Sequence, residues 1–308
     1  MGKIAFIYPG QGAQKCFMGQ DFYNVYPKCA EVFDKAEETL DVSVKDLVFR
    51  ENPLLDQTQY TQPAMVTTCL GITAVLNDMG IYPDMTAGLS LGEYAAIAAA
   101  GGMDYVDAIR LVRQRGIFME EAVPAGKGAM AAVLGMEADV IEKVLEEFED
   151  VFIANYNCPG QIVITGMKEG VEAASAKLTE AGAKRCIPLV VSGPFHSIYL
   201  KEAGAKLREY MADVTFNELQ IPYITNVTAT YVSDKDEIAL LLEKQVCSSV
   251  RWQQSVETMI SDGVDTFIEI GPGKTLAGFI KKIDRDVKVI NVSCVEDLEV
   301  VKEMAKTS

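Results

Sequence analysis

Ser90 stands in Gly88-Leu89-Ser90-Leu91-Gly92, a G-x-S-x-G pentapeptide between an apolar segment at 85–89 and an alanine-rich one at 93–100. In a sharp strand-to-helix turn the two glycines let the backbones approach, and the serine hydroxyl is pushed outward. The helix that follows offers free N–H groups and its positive end to a developing oxyanion. An ordinary turn with an N-capping serine has the same five letters, so the pentapeptide alone leaves both readings open. A serine nucleophile needs a base, and His196 is the only histidine in the chain. It follows Gly193-Pro194-Phe195, a turn that fixes the backbone just ahead of it. Between Ser90 and His196 no acid is singled out as a third member, so the logic of nucleophile, base and orienter has to be completed differently.

Two further glycine-rich turns fail as nucleotide motifs. Gly10-Gln11-Gly12-Ala13-Gln14-Lys15 follows a predicted strand, but Lys15 occupies the third glycine position of a dinucleotide fingerprint. Gly273-Lys274-Thr275 ends like a phosphate-binding loop, yet Ile268 stands where its first glycine belongs. Both read as tight turns at strand ends.

The elements that must position these residues alternate. Strand 3–8 runs into the first glycine turn. A helix over 60–79, with Pro63 in its first turn, stops at Gly80. Strand 85–89 leads through Ser90 into helix 93–100, and Asp104 caps a helix that ends near residue 123. The middle of the chain has a different element order, with strand 129–134, helix 137–149, strand 151–155, strand 161–165, helix 168–181 and strand 184–190. That β-α-β-β-α-β order is the ferredoxin-like split pattern. Helix 197–212, a strand near 222–225, helices 235–246 and 249–262, strand 266–270, helix 275–283, strand 288–293 and a last helix follow. The predicted fold is α/β: a hydrolase-like parallel-sheet core made of residues 1–126 and 193–308, with an inserted ferredoxin-like subdomain at 127–192.

Composition narrows the function classes. The 308 residues are 49% hydrophobic and 23% charged, a globular balance, and no apolar run approaches the roughly 20 residues needed to span a bilayer. The N-terminus reads as a buried first strand rather than a signal peptide. Seven scattered cysteines without a CxxC pair suit reduced thiols in the cytoplasm, and a single histidine excludes a His-rich metal cluster. A net charge of −16 argues against nucleic acid as a partner. An acidic ligand would need local basic patches, for which Lys184-Arg185, Lys281-Lys282 and Arg110, Arg113 and Arg115 are candidates; each is equally an ordinary solvated face.

Several of these pieces, in order, carry a resemblance: the first glycine turn from Pro9 to Gln14, Gly88 to Tyr94, Arg115-Gly116, Gly128-Ala129-Met130-Ala131-Ala132, Asn155-Tyr156-Asn157-Cys158-Pro159-Gly160-Gln161, Phe195-His196, and Glu269-Ile270-Gly271-Pro272-Gly273. Over nearly its whole length the chain resembles the malonyl-CoA:acyl carrier protein transacylases of fatty-acid synthesis and the acyltransferase domains of polyketide synthases. The resemblance implies transfer of malonyl from coenzyme A to the phosphopantetheine thiol of acyl carrier protein through an ester on Ser90. It implies His196 as base, the backbone carbonyl of Gln245 as its orienter, and the N–H groups of Gln11 and Leu91 as oxyanion hole. Arg115 would read the malonyl carboxylate, Phe195 would occupy the space an α-methyl branch needs, and Asn155 would line the substrate site. Leu89 departs from the pattern, since the family usually has histidine before the nucleophile. No cofactor beyond the coenzyme A thioester substrate is expected, and a cytoplasmic monomer is expected. The alternatives are a trans-acting polyketide synthase acyltransferase and a serine thioesterase of the same chemistry.

Overall fold

The computed structural model describes residues 2–124, 126–191 and 193–307, without the side chains of residues 305–307. Strand β1 (Lys3–Tyr8) has four consecutive buried residues, Ala5 to Tyr8, because it is covered on both faces. It pairs in parallel with β2 (Met85–Gly88). Four strands then form a sheet of their own: β3 (Gly128–Leu134), β4 (Val151–Cys158), β5 (Gln161–Met167) and β6 (Arg185–Pro188). The chain returns to the first sheet with β7 (Tyr223–Ile224), β8 (Tyr231–Val232), β9 (Val264–Ile270) and β10 (Lys288–Val292).

The larger sheet has the order β10-β9-β1-β2-β7-β8 and is parallel except for the short β7–β8 edge. β1 lies at the centre, so the loops after β1, β2 and β9 emerge side by side at the carboxyl ends of their strands, where open α/β sheets present their ligand crevices. The smaller sheet has the order β4-β5-β3-β6, antiparallel throughout. With helices Ala138–Leu145 and Lys168–Glu180 in its crossovers, this sheet has the expected split βαββαβ order from Gly128 to Pro188, with its own apolar cluster around Val133, Ile141, Ile164 and Leu178; residue 192, the expected end of the subdomain, lies outside the described residues.

Several local expectations change. The long helix begins at Thr58, not 60, so Pro63 lies inside it rather than in its first turn. A proline has no N–H for the carbonyl four residues earlier; Arg113 Nη1 fills that gap, donating to the Gln59 carbonyl at 2.9 Å. The helix expected over 137–149 stops at Leu145, and β4 runs on to Cys158. Helices at Gln20–Val25, Pro27–Thr39 and Val44–Val48, and strand β8, were not anticipated. No helix is long and apolar enough to cross a membrane, and no metal-holding group of His, Cys, Asp or Glu occurs, among the described residues.

Candidate active site

The glycines of the pentapeptide are required by contact. A Cβ on Gly88 would stand 2.0 Å from the Gly92 carbonyl carbon, and one on Gly92 would stand 2.2 Å from the Tyr8 carbonyl oxygen. β1, β2 and helix Gly92–Ala99 thus cross with bare backbone between them. Ser90 is forced into the left-handed region, φ 54°, where an L-residue is strained. Asn226, on the loop after β7, holds that conformation: its Oδ1 accepts the Ser90 N–H at 2.7 Å, and its Nδ2 donates to the Gly88 carbonyl at 2.7 Å.

His196 also has positive φ, 59°, in a turn tied by the Ser197 hydroxyl to the Pro194 carbonyl at 2.6 Å. Its Nε2 lies 2.7 Å from Ser90 Oγ, and its Nδ1 lies 2.9 Å from the backbone carbonyl of Gln245. A carbonyl can only accept, so Nδ1 carries the proton and Nε2 offers its lone pair to the serine. Burial, followed by the charge of Arg115, pushes the imidazole pKa down to about 4, so the ring is the neutral base at neutral pH.

Arg115 comes from helix Tyr105–Ala122 and is 1% exposed. Its Nη1 donates to Gln62 Oε1 at 2.9 Å; its Nη2 donates to Ser90 Oγ at 3.1 Å and to Gln245 Oε1 at 3.0 Å. The guanidinium lies 5.4 Å from the Tyr94 ring centroid, and Nε has no partner among the described residues. None of the described carboxylates forms an ion pair with it. Arg113 differs: it is held by Asp41 at 2.8–2.9 Å, and with Arg110 paired to Asp107 the three arginines of this helix form no common basic face.

These groups open into a cavity of about 250 Å³ between the two sheets, walled by Met119, Met130, Val163 and Phe195. Irregular register in β4 accompanies the placing of Asn155 and Asn157, both nearly buried, along the same wall. Gln11 and Leu89 line the cavity as well, and Leu91 is buried at the start of the helix. Neither the Gln11 nor the Leu91 N–H is taken up by the hydrogen bonds of the neighbouring turns among the described residues. Of the other basic pairs, Lys281 Nζ is turned onto the Val287 carbonyl at 2.6 Å, while Lys282 reaches Gln161 at 3.2 Å.

A serine with a neutral imidazole base and a buried guanidinium that makes no direct ion pair with a described carboxylate can carry an acyl group that ends in an anion. The acyl transferase domain model matches residues 5–306. The chain belongs to the acyl transferase domain family. It is 47% identical to the malonyl CoA-acyl carrier protein transacylase of Bacillus subtilis (strain 168), over 99% of this chain and 98% of that protein. The Staphylococcus aureus (strain MRSA252) protein of that name is 42% identical, over 97% and 98%. Among solved structures, the malonyl CoA-acyl carrier protein transacylase of Clostridium perfringens superposes with a TM-score of 0.96 at 39% identity, covering 99% of this chain and 98% of that one. A malonyl-transacylase solved in complex with its type II polyketide synthase acyl carrier protein gives 0.95 at 36% identity, covering 98% and 99%.

Sequence reasoning passed over Glu93, Asn226, Gln62 and the side chain of Gln245. A glutamate in the first turn of a helix ordinarily reads as a solvated partner of the helix end, yet Glu93 is fully buried. Its place directly after the pentapeptide was the available signal.

Proposed function

We propose that this chain moves a malonyl group from coenzyme A to the phosphopantetheine thiol of acyl carrier protein, through an ester on Ser90, in fatty-acid synthesis. The observation that carries this reading is Arg115: a buried guanidinium without a carboxylate partner, with Nη2 3.1 Å from Ser90 Oγ. A buried cation left unpaired is costly, and the carboxylate of a malonyl group on Ser90 compensates it. An acetyl group does not. Arginine suits the task because its planar fork can bind a carboxylate with two parallel bonds.

His196 Nε2 takes the Ser90 proton as Oγ attacks the thioester carbonyl, and the Gln245 carbonyl holds the imidazolium that forms. The N–H groups of Gln11 and Leu91 stabilise the tetrahedral oxyanion, each worth about 3 kcal/mol of barrier. His196 returns the proton to the departing coenzyme A sulfur. In the second half the carrier thiol gives its proton to His196, attacks the malonyl ester and restores Ser90. Phe195 fills the volume that a methyl branch on the acyl α-carbon would need, and Asn155 lines the cleft for the incoming thioester. The acyl group arrives activated, so no cofactor takes part. The enzyme acts as a cytoplasmic monomer, with 127–192 forming one wall of the cleft and residues 1–126 and 193–308 the other.

The test is intact-mass spectrometry after mixing with malonyl-, methylmalonyl- or acetyl-CoA. The expected result is a gain of about 86 Da on Ser90 from malonyl-CoA, discharged by holo acyl carrier protein. Release of free malonate at the same rate with and without the carrier would instead indicate a hydrolase.

A further inference from the structure

Glu93 lies behind the site, fully buried and out of contact with the cleft. Its Oε2 accepts from Gln245 Nε2 at 2.8 Å and from the Asn226 backbone N–H at 3.2 Å. Each partner then reaches the nucleophile by a second bond. Asn226 spans the Ser90 turn with its side-chain amide. Gln245 Nε2 also donates to the Ser90 carbonyl at 2.8 Å, and its Oε1 accepts from Arg115 Nη2. A primary amide has a donor end and an acceptor end. Because Glu93 and the Ser90 carbonyl both claim the donor end, only the acceptor end can face the guanidinium. A flipped amide would turn N–H groups against the N–H groups of Arg115.

We propose that Glu93 is a positioning residue of this site: through one carboxylate oxygen it anchors Asn226 beneath the Ser90 turn and sets the Gln245 amide so that it holds Arg115. This rests on the reading of Ser90 as the acyl carrier. What the site uses is the acceptor geometry of Glu93, not its charge. The second oxygen, Oε1, has no partner among the described residues. Burial also pushes the carboxyl up to about 7, against the pull of Gln245, Thr225, Asn226 and Arg115 toward the ionised form, so at neutral pH about half of it carries no charge. Glutamine has the same length and can place a carbonyl oxygen where Oε2 stands. Aspartate keeps the charge but is one methylene too short to reach both donors.

The comparison is therefore Glu93→Gln against Glu93→Asp in the full chain, with two readouts. The first is the rate at which a fluorophosphonate labels Ser90; the second is kcat/KM for malonyl-CoA relative to acetyl-CoA. Glu93→Gln is expected to stay within about 3-fold of the parent in labelling, and Glu93→Asp to fall by about 10-fold or more and lose malonyl preference. Thermal unfolding of both variants separates loss of fold from loss of positioning. An aspartate variant at least as reactive as the glutamine variant, or two variants lowered alike, overturns the proposal. If the parent chain takes fluorophosphonate but no malonyl, the acyl-transfer reading fails, while the order of labelling rates still decides the role of Glu93.

Discussion

His196 Nδ1 lies 2.9 Å from the backbone carbonyl of Gln245, at the place a carboxylate occupies in a serine protease triad. A carbonyl orients the ring without adding negative charge beside an acyl group that brings its own. Burial lowers the basicity of the imidazole most and the nearby Arg115 lowers it further, while the carbonyl raises it less than either lowers it.

That arrangement predicts an unusually low acid limb. His196 titrates at about 4 in the folded chain against 6.5 for a free imidazole. The base form therefore persists as pH falls through 6 and 5. Labelling of Ser90 by a fluorophosphonate, which has no titrating carboxylate, should hold its rate to about pH 5 and fall by half near 4. Arg115→Gln should move that limb upward. By linkage, a depressed histidine pKa gives stability that is fully present above pH 6.5 and is lost as pH falls toward 4. A limb at 6.5 in the parent chain would show that the ring is not held neutral.

Arg115→Ala should lower kcat/KM for malonyl-CoA by at least about 100-fold while changing the value for acetyl-CoA by less than about 10-fold, since only malonyl has a carboxylate to lose. Competition assays with the two thioesters measure the ratio directly. Retained malonyl preference would remove Arg115 from substrate recognition.

Gln245→Ala keeps the backbone carbonyl behind His196 and deletes the amide between Arg115, Glu93 and the Ser90 carbonyl. Fluorophosphonate labelling is expected to survive within about 10-fold, with a larger loss in malonyl selectivity. Equal loss in both assays would mean that the side chain serves the nucleophile rather than the acyl group.

Gly92→Ala places a methyl 2.2 Å from the Tyr8 carbonyl oxygen, and both atoms belong to rigid backbone. The cost should exceed about 2 kcal/mol of unfolding free energy, read as a clear drop in the denaturation midpoint. A stability unchanged within about 0.5 kcal/mol would contradict the close crossing of β1 and this helix.

Arg113→Ala should act on stability alone. It strands the Gln59 carbonyl that Pro63 leaves without a helical N–H, and it breaks the pair with Asp41. Asp41 is mostly exposed, so the ion pair counts for little and the part-buried Gln59 carbonyl for most of an expected loss of about 1 kcal/mol. Chemical denaturation gives the loss, and acyl transfer at low temperature should remain intact.

Local rules were enough for the strand-turn-helix around Ser90, the Asp104 cap and the βαββαβ order of the middle segment, because each is written in short-range spacing. The uniqueness of His196 as a base was a matter of counting. Pro63 was misplaced because a helix start shifts freely until tertiary partners choose it, and here Arg113 supplies the missing hydrogen bond. Burial was legible for an apolar strand such as β1 but not for the charged groups. Glu93 and Arg115 look like ordinary charged helix residues until Gln245 and Asn226 close over the one and Gln62, Tyr94 and Gln245 over the other. Ser90 and His196 are 106 positions apart, and Ser90 and Asn226 are 136 apart. Residue types set what chemistry was available; long-range packing decided which carbonyl faces the histidine, which amide end faces the arginine, and which acid lies dry beneath them both.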